Sequence, residues 1–413
     1  MNMKTMLCTL AVLAAAALWA AGTKDGPGTY YVPPAGTANV ASAAATPTNA
    51  VAHRTIAFLG GSITEMNGFR PRVMAHLRRQ YPQVAFTEIA AGLSSTCSDV
   101  AAFRFAEDVL ARGTPDLLVV DAAVNDDQDG HFTRARSVRG MEGVVRQALR
   151  ANPAMRIVIA LFVNKGQFDT LSRGLVPLPY EAHRAVAGRY GAAVADVGSE
   201  LAAAARAGTF TWERYRDCHP SPEGCDFAAD VVMKAVKSVF DPLAKPSARF
   251  LPRPLDTGSY ASASVVPFET VKTGTDWNVS VPDWKAVPGS KRGYFTRGPA
   301  LWSVRTGAVC EVAFTGTMLA AVLTAGPDAG ALEISLDGGP WTRQELYMPY
   351  SKGLNYPYAR ILADGLPAGP HVAKLRVAET VRAGTACSAV RIHRLVANGL
   401  QGAPAPVPRA VAD

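Results

Sequence analysis

Four short segments carry residue types that together could attack an acyl bond. Gly60-Gly61-Ser62-Ile63-Thr64 directly follows an apolar run, Thr55 to Gly60. A serine on a tight strand-to-helix turn exposes its hydroxyl, and glycine lets the backbone bend there. Gly92 lies in Ala90-Ala91-Gly92-Leu93-Ser94, Asn125 in Ala123-Val124-Asn125-Asp126, and His219 in Asp217-Cys218-His219-Pro220. A hydroxyl becomes a competent nucleophile once a base such as imidazole removes its proton. Backbone N–H groups and a carboxamide can then stabilise the oxyanion that forms. Each segment also has a plainer reading: Gly-Gly-Ser as turn chemistry, Asn125 as a loop asparagine, and His219 as one of 7 histidines.

The elements around these residues decide between the readings. Thr55 to Gly60, Val84 to Ile89, Asp116 to Asp121, Arg156 to Val163 and Ala192 to Val197 read as strands. Phe69 to Tyr81, Ser98 to Arg112, Val138 to Arg150, Tyr180 to Tyr190 and Phe227 to Phe240 read as helices. Strands alternating with helices predict a parallel sheet covered on both faces, an α/β fold. In such a sheet the carboxyl ends of the strands share one edge, where ligands bind. Ser62, Gly92 and Asn125 each follow a different strand and should meet there. The loop before the last helix can bring His219 to them.

The rest of the chain supplies context. The 413 residues suggest two or three domains. With 48% hydrophobic and 18% charged residues, disorder over the whole chain is excluded. The net charge of +8 is scattered, which argues against nucleic acid as a partner. Lys4 followed by the apolar run Leu7 to Ala21 reads as a signal peptide over 1–22, hence export to the periplasm or beyond the cell, without stable membrane insertion afterwards. Residues 23–52 read as a flexible leader and 53–243 as the α/β domain. A proline-rich linker follows over 244–260, then short β-like runs over 261–399 that predict a β-sandwich or jelly roll, and a tail over 400–413.

In an oxidising compartment Cys310 could pair with Cys387 and Cys218 with Cys225, leaving Cys97 odd. The cysteine and histidine spacing suggests no metal site. Asn125, Asp127, Asp129 and Gly130 imitate half of a calcium loop, but its twelfth position holds Arg136. Asn278-Val279-Ser280 matches a glycosylation sequon. Most aromatic residues of the β-rich half should be core. The segment Tyr347 to Tyr358, polar and punctuated by proline, reads as an exposed binding loop, with Tyr350, Asn355 and Tyr356 as substrate-binding candidates.

The order Ser62, Gly92, Asn125, His219 resembles the SGNH (GDSL-type) hydrolase family over residues 54–240. Gly-Gly-Ser-Ile-Thr is similar to a variant of that family's Gly-Asp-Ser block. Ala123 stands where its third block has glycine. The resemblance implies a flavodoxin-like three-layer domain and a serine esterase that needs no metal or organic cofactor. Ser62 would be the nucleophile and His219 the base, with an oxyanion hole from the N–H groups of Ser62 and Gly92 and the Asn125 amide. The family places an aspartate three residues before the histidine. That position holds Arg216, so Asp217 is the candidate acid, Glu213 the reserve, and a dyad backed by a main-chain carbonyl the remaining option. The β-rich half loosely resembles jelly-roll modules that accompany carbohydrate esterases. An O-acylated carbohydrate is then the expected substrate, with removal of O-acetyl groups from a polysaccharide as the reaction. A lipid, aryl or peptidoglycan ester, or a non-catalytic glycan-binding role, are the alternatives.

Overall fold

The computed structural model describes residues 52–380 and 387–399. The expected signal peptide, nearly all of the leader and the tail lie outside these residues.

Five parallel strands form the first sheet: β1 (Ala52–Gly60), β2 (Val84–Gly92), β3 (Leu117–Asp121), β4 (Arg156–Ala160) and β5 (Ala193–Ala195), in the order β2-β1-β3-β4-β5. Every residue of β3 is buried, as is β1 from Ile56 to Gly60. Central parallel strands with helices on both faces need such uninterrupted apolar runs. The helices are α1 (Ser62–Glu65), α2 (Phe69–Gln80), α3 (Ser98–Asp108), α4 (Ala123–Gln128), α5 (Arg134–Ala151), α6 (Lys165–Ser172), α7 (Leu178–Tyr190), α8 (Val197–Arg206), α9 (Trp212–Tyr215) and α10 (Pro222–Val239). Gly60 pairs with Gly92 in register, so β1 and β2 end side by side. The order reverses direction at β1, and Ser62 and Asn125 follow the two strands, β1 and β3, that flank this switch point, where ligands bind in such sheets.

After α10 the chain does not hang free. The segment up to Tyr260 runs along the α/β half: Arg249 donates to the carbonyls of Tyr190, Gly191 and Met155, and the Leu255 and Asp256 N–H groups donate to the Glu142 carboxylate. Ten strands follow: β6 (Ala263–Val266), β7 (Asn278–Ser280), β8 (Ala300–Ser303), β9 (Val309–Gly316), β10 (Met318–Ala325), β11 (Ala331–Leu336), β12 (Thr342–Glu345), β13 (Tyr356–Ala363), β14 (Gly369–Val377) and β15 (Val390–Asn398). One antiparallel sheet has the order β13-β10-β15-β8-β7, with β6 also on β15; the other has β12-β11-β14-β9.

Leu319, Ala321, Leu323 and Ala325 of β10 share a core with Val312, Ile334 and Leu375 of the four-stranded sheet. Met318, Ala320 and Val322, the alternate residues, join the core of the α/β half. Strand β10 is therefore buried at every position, and its sheet is the layer between the α/β half and the four-stranded sheet.

The sequence pattern misses β6, β7, β8 and β12 as strands and α4, α6, α8 and α9 as helices. β12 is Thr-Arg-Gln-Glu, mostly exposed, and carries no apolar alternation. The expected helix Ser98 to Arg112 stops at Asp108 and continues as a 3₁₀ turn over Leu110–Arg112. The expected disulfides are not formed: Cys97, Cys218, Cys225, Cys310 and Cys387 are all free. Cys310 faces the sandwich core, where burial pushes its thiol up to about 12. Cys218 instead faces the ring of His219, and Cys225 donates to the Pro220 carbonyl.

Candidate active site

Ser62 is the first residue of α1, immediately beyond the Gly60-Gly61 end of β1. This turn is crowded. A Cβ on Gly60 would lie 1.8 Å from Oδ1 of Asp121, and one on Gly61 would lie 2.2 Å from Oδ1 of Asn125. A side chain at either position would have to displace a carboxylate or a carboxamide of the site. Asp121, at the end of β3, accepts hydrogen bonds from the Thr64 hydroxyl and the Gly61 N–H, fixing the turn from the neighbouring strand. Burial raises the Asp121 carboxyl to about 7, against the pull of those bonds and of Arg104.

Gly92 closes β2 beside this turn. A Cβ there would meet the Glu65 backbone nitrogen at 2.1 Å, so α1 can lie on β2 only over a glycine. The Glu65 carboxylate accepts from the N–H of Ser94 at 2.8 Å and from its hydroxyl, tying the loop after β2 to α1. Arg104, 1% exposed on α3, donates to the carbonyls of Gly60 at 3.0 Å and Ala91 at 2.7 Å, joining the two strand ends.

Asn125 sits in α4, just beyond β3. Its Nδ2 donates to Oδ2 of Asp129 at 2.6 Å. Asp126 accepts from the Ser98 N–H and hydroxyl, both at 2.8 Å, and lies 3.1 Å from Nε2 of the fully buried His183. Through Asp126 the start of α3 and the middle of α7 clamp the turn that carries Asn125.

His219 lies in the loop between α9 and α10, with its Nε2 2.7 Å from Oγ of Ser62. Burial lowers the imidazole below its ordinary value, the charge of Asp217 opposes this, and Arg216 and Arg292 add to it. A neutral imidazole accepting a serine proton at this distance is the arrangement of a general base and its nucleophile.

Asp217 does not hold the ring. Its Oδ1 accepts the backbone N–H of His219 at 2.6 Å, while Nδ1 of His219 faces the Cys218 sulfur at 3.6 Å. Arg216, in the left-handed region at φ +94°, donates to the His219 carbonyl at 2.6 Å. With the carboxylate one residue closer to His219 than the expected spacing, it meets the histidine backbone first. Glu213 is fully exposed and interacts with Thr211, with Lys165 the nearby charge, so it gives no support to His219.

The binding candidates divide. Tyr350 is 45% exposed, and it lies close enough to Asp129 for each group to act on the other. Asn355 is 1% exposed, and its amide donates to the carbonyls of Pro288 and Ser290. Tyr356 is 2% exposed and stacked between Tyr350 and Tyr358. The sequence reading of Asn355 and Tyr356 as substrate contacts is thus corrected: the first ties loops together and the second is core.

Sequence reasoning missed Asp121, Arg104, Asp129 and Arg292. Arg292, from the β half, donates to the Ser95 hydroxyl at 3.3 Å and is close enough to act on the charge of His219. Asp121 ends an apolar strand and Asp129 lies four residues after Asn125; those positions are the signals available. Among the described residues, Asp217, Cys218 and His219 are the one group whose donor atoms could gather on a metal, and His219 is already engaged with Ser62.

Residues 58–227 match the GDSL-like Lipase/Acylhydrolase family. Over these residues the chain is similar to that family. Two solved structures resemble the chain over both halves. A two-domain esterase (CEX) active on acetylated mannans, co-crystallised with mannopentaose, is 19% identical with a TM-score of 0.68, covering 86% of this chain and 92% of that one. Another structure of a two-domain esterase (CEX) active on acetylated mannans is 20% identical with a TM-score of 0.66, covering 85% and 92%. At these identities the likeness shows a shared fold: a parallel α/β domain followed by antiparallel sheets. No curated protein sequence matches the chain.

Proposed function

We propose that the protein is an exported serine esterase that removes O-acetyl groups from a polysaccharide. The observation that carries this is the 2.7 Å contact between His219 and Ser62 at the carboxyl edge of the sheet. His219 takes the Ser62 proton as Oγ attacks the acetyl carbonyl, then gives it to the departing sugar oxygen, which leaves as the hydroxyl. Water, deprotonated by the same imidazole, releases acetate from the acyl-enzyme. The N–H groups of Ser62 and Gly92 and the Asn125 amide are the proposed oxyanion donors; losing one such donor costs on the order of 10²–10³ in turnover. Asp217 acts as a counter-charge to the imidazolium and as a clamp on the His219 backbone, without a bond to the ring.

The polysaccharide reading rests on the fold shared with esterases active on acetylated mannans. Export rests on the apolar run near the start of the chain; among the described residues no helix is long and apolar enough to cross a membrane. The test is hydrolysis of 4-nitrophenyl acetate, butyrate and octanoate, and release of acetate from acetylated glycans, beside Ser62→Ala and His219→Ala. Acetate-selective turnover absent from both variants supports the reading. Turnover that survives Ser62→Ala rejects it. N-terminal sequencing of the protein recovered outside expressing cells tests cleavage near Ala20 to Gly22.

A further inference from the structure

The Asn125 amide lies against the backbone just before Ser62, where a Cβ on Gly61 would meet its Oδ1 at 2.2 Å. A carboxamide can sit there in two orientations, related by a half-turn, and only the one with nitrogen correctly placed leaves an N–H for an oxyanion. Its neighbour decides which. Asp129, one helical turn on, is largely buried and 2.6 Å from Nδ2. Burial raises the Asp129 carboxyl above its ordinary value, but its unprotonated oxygen still accepts, and the atom it takes is Nδ2 of Asn125. One of the two Nδ2 hydrogens is thereby used, and the other is left for the site.

Asp129 is itself held from elsewhere. Besides Asn125, the side chains of Gln128 and Tyr350 lie close enough to act on its carboxylate. Tyr350 comes from the 3₁₀ turn Pro349–Lys352, between β12 and β13 of the β-sandwich. Its ring stacks on Tyr356, with centroids 4.9 Å apart, and so is anchored in that half. A series of neighbours thus runs from the β half through a phenol and a carboxylate to the carboxamide beside the nucleophile.

We propose that Asp129 and Tyr350 are positioning residues for the oxyanion donor Asn125, so that the β half sets the geometry of the oxyanion hole. This rests on the esterase reading above. It differs from the role the sequence suggested for Tyr350, a surface on which substrate is bound, and the two are separable by kinetics. A lost substrate contact raises KM, whereas a misplaced oxyanion donor lowers kcat.

The test uses the full chain and 4-nitrophenyl acetate. Asp129→Ala is expected to lower kcat about tenfold, part of the loss for a missing donor, with KM unchanged. Asp129→Asn, which keeps an acceptor oxygen, is expected to restore most of that loss. Tyr350→Phe is expected to lower kcat severalfold, again at constant KM. In an Asn125→Ala background neither Asp129→Ala nor Tyr350→Phe should lower kcat further, because residues that act as a unit are not additive. A Tyr350→Phe variant altered only in KM, or losses that multiply in the Asn125→Ala background, overturn the proposal.

A second readout does not depend on turnover. The Asn125 side-chain amide resonances, assigned by their disappearance in Asn125→Ala, should shift in both Asp129→Ala and Tyr350→Phe. Unmoved resonances overturn the link even in an inactive protein. Absence of wild-type hydrolysis rejects the esterase reading instead.

Discussion

At the scale of single residues, the protonation of His219 controls the proposed chemistry, and its neighbours make that testable. The base must be neutral to accept the Ser62 proton. Burial and the cations Arg216 and Arg292 hold its value below the ordinary 6.5, so the acid limb of kcat/KM should fall below that pH. Removing a nearby cation favours imidazolium, so Arg292→Gln should move the limb to higher pH. Removing the opposing anion does the reverse: Asp217→Asn should move it to lower pH and reduce kcat. A pH–rate profile of the three proteins checks both signs. Ser62, Gly92, Asn125 and His219 were all legible in the sequence because each carries a short motif with a chemical reason for its residue types. Asp129 and Arg292 were not. Their roles depend on contacts with the other half of the chain, and no spacing rule connects residue 129 to residue 350 or residue 292 to residue 219.

At the scale of elements, the site depends on how closely α1 lies on β2. Gly92→Ala would drive a methyl group into the Glu65 backbone, which cannot rotate away. The expected result is a lower melting temperature together with lost turnover, read by calorimetry and the ester assay on the same sample. Asp126 plays a comparable part between α3, α4 and α7. Asp126→Ala would strip the Ser98 N–H and hydroxyl and the buried His183 of their shared partner. Breaking such a buried cluster should cost about 3 kcal/mol, measurable by urea unfolding. The parallel strands were readable as apolar runs bounded by turns. Helix α6 was not: its start is a capping box between Asn164 and Gln167, and its eight residues bury only three side chains.

At the scale of the whole molecule, the two halves share a core through β10. The sequence shows Met318-Leu-Ala-Ala-Val-Leu as an apolar run but cannot say which layer covers each face, because the covering residues lie in a different half. Ala320→Glu would place a charge between the sheet and the α/β half. We expect it to reduce soluble yield and ester turnover together, as read by fractionating cell extracts. Ion pairs also cross this boundary, Arg394 with Glu107 and Arg139 with Asp364, but their acidic partners are half-exposed and such pairs contribute little.

The strand order of that middle sheet has a consequence for synthesis. Its central strand, bonded to β10, β8 and β6, is β15, the last of the described strands in chain order. A ribosome delivers the nucleophile, the base and every proposed oxyanion donor well before residues 390–398. Until those nine residues emerge, β8 and β10 have no strand between them. Completion of the middle sheet then waits on β15. A nascent chain stalled before Val390 should remain open to protease throughout its second half, and one stalled well beyond Asn398 should not.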